Sequence, residues 1–164
     1  KAGEVYFNSV AMADADGTIL GVYRKSHIPN APGYQEKEYF SPGDTGFRIW
    51  KTRYGKVGVL ICWDQWYPST YKSLAMNKAD LILFPTSIGT AYRNNKIISL
   101  KSEQKMWRMI MQSHSLIYNL PIVVANRIGI ESSLNRKISF WGSSFITNHS
   151  GEIIQNLKNN RSKI

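Results

Sequence analysis

The sequence predicts a layered α/β fold, and three patterns carry that reading. A β-branched run, Val57-Gly58-Val59-Leu60-Ile61, has the continuous apolar character of a strand covered on both faces. Residues 101–119 place Met106, Ile110 and Ile117 on one apolar stripe of a helix that Pro121 ends. Short strand-like and helix-like segments then alternate along the chain, which is the order of packed α and β layers.

The elements follow in order. Val5–Met12 and Thr18–Arg24 read as strands joined by Asp14-Ala15-Asp16-Gly17, whose Asp-Gly step supplies the positive φ of a hairpin turn. Residues 26–46 are rich in Pro and Gly and too long for a plain connector, so a functional loop is expected there. Phe47–Thr52 and Lys56–Ile61 are strands around Tyr54-Gly55. Trp66–Lys78 reads as a helix, Leu81–Phe84 as a short buried strand, Lys101–Asn119 as the long helix, and Ile122–Ala125 as a strand. Ser144–Thr147 and Glu152–Gln155 close the chain as a hairpin around residues 148–151. No linker, repeat or low-complexity segment interrupts residues 1–164, so they read as one domain.

Composition narrows the function classes. The net charge of +10 raises nucleic-acid binding, but the basic residues are scattered as singletons and pairs with no zinc finger, basic helix or RNA-binding signature. No nucleic-acid partner is expected. The single cysteine excludes an intramolecular disulfide, and no apolar run is long enough to span a bilayer, so no membrane partner is expected either. His27, His114 and His149 lack metal-ligand spacing, and no metal or cofactor is implied. With no signal peptide at the start of the chain, a cytoplasmic location is expected.

Cys62 ends the β-branched run and precedes Trp63-Asp64-Gln65-Trp66-Tyr67-Pro68. A thiol at a strand-to-helix junction is where a nucleophile is placed, and the helix N-terminus is expected to favour its thiolate. The same position also suits a small hydrophobe filling space. Upstream lies Arg24-Lys25-Ser26-His27-Ile28-Pro29, followed by Gly33-Tyr34-Gln35-Glu36-Lys37. Downstream come Phe84-Pro85-Thr86-Ser87-Ile88-Gly89, Ala125-Asn126-Arg127-Ile128-Gly129 and Phe140-Trp141-Gly142.

Together these ordered motifs resemble the nitrilase superfamily of carbon–nitrogen hydrolases, and within it the branch that acts on N-carbamoylputrescine. The resemblance covers nearly the whole chain. It implies a four-layer αββα sandwich, incomplete at both ends, because the chain resembles an internal piece of that fold. It implies a cysteine-bound intermediate with Cys62 as nucleophile, Lys25 stabilising thiolate and oxyanion, Glu36 orienting Lys25, and the backbone N–H of Trp63 as second oxyanion donor. The substrate implied is a small carbamoyl amine, cleaved at its ureido C–N bond to putrescine, carbon dioxide and ammonia without a cofactor. Tyr34, Trp63 and Asp64 are the expected substrate contacts, with Asp64 and the rings of Tyr34 and Trp63 as candidates to meet the cationic tail, and His27 is expected to be structural. The general-base glutamate of such enzymes has no counterpart here, since Glu4 matches no motif, and the chain alone is expected to be inactive. The complete enzyme is expected to be a homo-oligomer. Ser69, Ala91, Ser143 and Asn148-His149 depart from the resembling pattern, which uses acidic residues, asparagine and a Gly-Pro turn there. A carbamoyl amino acid or aliphatic amidase of the same superfamily, a catalytically dead fragment and a basic binding module are the alternatives.

Overall fold

The computed structural model describes residues 3–157. A six-stranded mixed sheet forms its centre, in the spatial order β14-β13-β10-β7-β6-β5. Its parallel middle is β6 (Gly55–Val59), β7 (Leu81–Thr86) and β10 (Ile122–Asn126). Their side chains are the apolar runs read above, and Val59, Ile82, Phe84, Ile122 and Val124 are all buried. On one edge β5 (Ile49–Thr52) pairs antiparallel with β6; on the other β13 (Phe145–Thr147) and β14 (Ile153–Asn156) form the closing hairpin.

Two helices follow the parallel strands. α1 (Pro68–Met76) begins with Pro68, whose missing N–H costs nothing at a first helical turn. α2 (Glu103–Tyr118) ends at Asn119, which takes a left-handed conformation before Pro121. Trp107 and Met111 of α2 and Tyr71 and Leu74 of α1 enter the core with the strand residues. The long-helix expectation thus holds with trimmed ends. The Trp66–Lys78 expectation needs correction, because residues 62–66 form a separate 3₁₀ turn and the α-helix starts at Pro68.

β1 (Ser9–Ala13) and β2 (Ile19–Arg24) form the expected hairpin, with Gly17 at φ +87° in its turn. Val10, Met12 and Leu20 pack against the same core, and Gly21 leaves room for the Trp50 indole. Within the 26–46 loop lie the two-residue strands β3 (Asn30–Ala31) and β4 (Tyr34–Gln35) and a 3₁₀ turn at Glu36–Glu38. A second, four-stranded antiparallel sheet was not anticipated: β8 (Gly89–Arg93), β9 (Lys96–Ile97), β11 (Ile128–Ser133) and β12 (Arg136–Trp141), in the order β11-β12-β8-β9. It extends from the C-terminal ends of β7 and β10, where open α/β sheets carry their sites. No helix among the described residues is long and apolar enough to cross a membrane.

Candidate active site

Cys62 stands at the C-terminal end of β6, in the first position of the 3₁₀ turn Cys62–Trp66. Its φ is +43°, a left-handed conformation that a residue with a Cβ adopts at a cost. Such a turn projects a side chain off a strand end, and the thiol it projects is buried. The backbone N–H of Ser87, just past the end of β7, lies near enough to the Cys62 sulfur to favour its anion. No backbone partner takes the N–H of Trp63, the next residue, among the described hydrogen bonds.

Burial pushes the Cys62 thiol up from its ordinary value; Lys25 and the Ser87 N–H pull the other way, and Glu36 and Asp64 add to the rise. Desolvation of the anion is the largest of these influences.

Lys25 follows β2 and is 1% exposed. Its Nζ donates to both oxygens of Glu36, at 2.9 and 2.7 Å. Asn8 also donates to Glu36 Oε2, at 3.2 Å. The backbone of Lys25 is fixed on both sides, its N–H donating to Asn8 and its carbonyl accepting from Gly43. The Arg-Lys motif and the Gly33–Lys37 loop, 11 residues apart at Lys25 and Glu36, therefore meet beside the thiol. A buried ammonium without Glu36 would be costly, so the pair is also what makes this lysine tolerable in the interior.

Asp64 occupies a different place from the one anticipated. Its carboxylate is fully buried and accepts four hydrogen bonds: Tyr23 Oη at 2.8 Å and the Ile61 N–H at 2.9 Å on Oδ2, the His27 N–H at 3.0 Å and His27 Nδ1 at 2.8 Å on Oδ1. A carboxylate offers about four acceptor sites, so none is left for a substrate ammonium. Asp64 ties the nucleophile turn to β2 and to the Lys25 segment. His27, its donor, stacks on Tyr67 with centroids 3.6 Å apart and has the structural place expected of it.

Tyr34 reaches the site from β4. Its hydroxyl accepts from the Gly89 N–H at 2.8 Å and donates to the Gly89 carbonyl at 3.1 Å, so only its ring is available to a substrate. Burial raises the phenol's pKa, and the charges of Cys62 and Glu103 raise it further. Gly89 cannot be otherwise, since a Cβ there would lie 2.2 Å from the Ser139 carbonyl oxygen. Asn126 holds the same segment from below, accepting from Ile88 N and donating to the carbonyls of Ile88 and Gly142. Trp63 and Trp66 pack edge to face, 6.1 Å apart.

A cavity of about 320 Å³ opens over Tyr34, Glu36 and Ser87, with Arg127, Glu131 and Phe140 on its far wall. Arg127 pairs with Glu131 and lies over the Phe140 ring. A larger groove of about 770 Å³ runs along α2 and the β13–β14 turn, but none of Cys62, Lys25, Glu36 or Tyr34 lines it. Among the described residues no cluster could hold a metal. Sequence reasoning missed Tyr23, Asn8, Ser87 and Asn126, whose contacts are long-range and leave no local pattern. Ala91 is buried against Gly33 and so faces the interior.

Comparison with known proteins places this geometry in a family. N-carbamoylputrescine amidase of Solanum lycopersicum is 46% identical over 158 residues, covering 94% of this chain and 51% of the relative. Citrullinase of Francisella tularensis is 45% identical over 154 residues, covering 94% and 52%. A crystal structure of a carbon-nitrogen hydrolase from Helicobacter pylori superposes with a TM-score of 0.89 at 35% identity, covering 99% of this chain and 56% of that one. The chain spans about half the length of the curated relatives it matches. The carbon-nitrogen hydrolase pattern matches residues 1–164, and with these identities the chain belongs to the carbon-nitrogen hydrolase family.

Proposed function

We propose that the complete protein hydrolyses the ureido C–N bond of a small carbamoyl amine, with N-carbamoylputrescine as substrate, and that Cys62 is its nucleophile. The observation that carries this reading is the buried Lys25–Glu36 pair set beside a thiol on a left-handed turn. In the proposed step Cys62 Sγ bonds to the ureido carbon as its proton is removed, and an amine leaves with a proton. Water then attacks the thiocarbamate carbon, the thiol leaves with its proton restored, and the carbamic acid released loses carbon dioxide to give the second amine. The net reaction is N-carbamoylputrescine plus water giving putrescine, carbon dioxide and ammonia.

Each oxyanion formed on the way needs donors aimed at it. Lys25 Nζ and the Trp63 N–H are the two groups free to take that role, and one such donor is worth about 2.7–4 kcal/mol in comparable hydrolases. Glu36 orients Lys25. The base is a carboxylate outside the described constellation: Glu36 is committed to Lys25 and Asn8, and Asp64 to its four donors. That commitment supports the expectation that the 164-residue chain turns over poorly by itself. The names of the relatives, N-carbamoylputrescine amidase and citrullinase, support a ureido head and leave the tail to be decided on this chain's own residues.

The test is Cys62→Ala in the complete protein. Ammonia release from N-carbamoylputrescine should fall to background while the melting temperature holds. Normal turnover in that variant overturns the assignment.

A further inference from the structure

Glu36 and Asp64 act on Cys62, and Glu103 acts on Tyr34, which walls the space beside it; the cavity over Tyr34 is also lined by Glu131, paired with Arg127, and by the exposed Glu38. The first two are fully committed within the protein. Glu103 is not: among the described residues its side chain has no hydrogen bond and no ion pair, although it is partly buried.

Its direction follows from helix geometry. Glu103 and Trp107 are four residues apart on α2 and therefore share a face. Trp107 faces the nucleophile turn, where its indole N–H donates to Gln65 Oε1 at 2.8 Å. Glu103 lies one turn nearer the helix start on that same face, within electrostatic reach of Tyr34. The indole N–H of Trp66, on the nucleophile turn, is buried without a partner among the described residues. Trp141 continues the aromatic surface, 5.7 Å from Trp107, with its N–H on Thr90, the residue after the Tyr34-bound Gly89.

We propose that Glu103 is the anionic end of the substrate slot and selects an alkylammonium tail whose ureido head is held at Cys62, a reading that rests on the function proposed above. A half-buried carboxylate with no partner is unfavourable in the free protein and gains most from a cation brought to it. The rings of Tyr34, Trp63 and Trp66 suit the methylene chain and the ammonium alike. A carboxylate-tailed urea would set two anions together in the same recess, so the site also rejects that class.

The experiment compares N-carbamoylputrescine with N-butylurea, which keeps the head and carbon chain but lacks the charge, on the complete parent protein and its Glu103→Gln variant. The expected result is a roughly ten- to hundredfold loss of kcat/KM for the amine-tailed urea in E103Q, with N-butylurea unchanged within about twofold. Equal loss on both substrates, or none on either, overturns the proposal. If the parent hydrolyses neither urea, the Cys62 reading has failed. Glu103 is then decided by equilibrium binding of 1,4-diaminobutane: tenfold weaker binding in E103Q supports the site, and equal or absent binding in both proteins overturns it.

Discussion

Replacing Asp64 with Asn separates a framework role from a substrate-binding role. The carboxylate is fully buried and takes two backbone N–H groups, the Tyr23 hydroxyl and His27 Nδ1. Asn keeps one acceptor oxygen. If that oxygen stays with His27, the new amide N–H₂ faces Tyr23 and Ile61. Tyr23 can adapt by turning its proton to Ser26 Oγ, 3.2 Å away, but the Ile61 N–H cannot. One buried backbone donor left unpaired costs about 1–3 kcal/mol, and the bonds that survive lose charge assistance at about 1 kcal/mol each. Relief from burying a charge offsets part of this, leaving a net loss of about 3–4 kcal/mol. At roughly 1.5 °C per kcal/mol for a protein of the relatives' length, about twice that of this chain, the melting temperature should fall by about 4–6 °C. Scanning calorimetry of the complete protein measures it, and alkylation of Cys62 should quicken as the turn loosens. A shift below about 3 °C, with KM raised only for amine-tailed substrates, would show that Asp64 faces the slot after all.

Two further perturbations test the scaffold around the thiol. Tyr34→Phe removes the hydroxyl that grips both backbone groups of Gly89, so turnover should drop about tenfold and stability by about 1–3 kcal/mol; unchanged steady-state rates would show that the Gly89 clip is idle. His114 is 6% exposed, both its ring nitrogens lack partners among the described residues, and burial lowers its pKa below 6.5. The unfolded chain therefore gains a proton first as pH falls through 6.5, and stability declines from there down to the folded value. His114→Phe keeps the tilted ring contact with Tyr71, 4.3 Å away, and should flatten the acid side of a melting-temperature profile. A slope identical to the parent's would assign that sensitivity to another group.

The central sheet and α2 were legible in the sequence because their patterns are strong. Continuous β-branched runs mark strands covered on both faces, and a 3.6-residue stripe closed by Pro121 marks a helix. The four-stranded sheet was not legible. Its β11–β12 hairpin turns at Leu134, with φ +51°, where no glycine or Asn-Gly step signals a turn, and every residue of β11 is exposed. Within the site, the nucleophile turn could be read from the strand that ends at Cys62. The Lys25–Glu36 contact could be read only through motif resemblance, since neither residue carries a local signal of burial. Asp64 was misassigned because proximity to Cys62 in sequence says nothing about direction. In a 3₁₀ turn the side chain two positions on folds back under the strand, where it accepts from Ile61 and His27. Glu103 lies 41 positions beyond Cys62 and reaches the site only through the packing of Trp107 on Gln65.

The charges and burial around Cys62 bear on the order of the proposed chemistry. Formally, Lys25, Glu36 and Asp64 sum to one negative charge around a buried sulfur, so a resting thiolate would be a second anion in a poorly solvated place. Lys25 cannot offset both, because its ammonium already shares two hydrogen bonds with Glu36. The third Lys25 N–H, beyond the two on Glu36, and the Trp63 N–H are the donors left for an oxygen anion. An interaction made with the oxyanion and withheld from the ground state lowers the barrier without deepening the well before it. On this reading, proton loss from Cys62 and attack on the ureido carbon occur together, when a base and a carbonyl are both present. The left-handed turn at Cys62 is then maintained by the Asp64 network, which holds the sulfur in place before any charge develops on it.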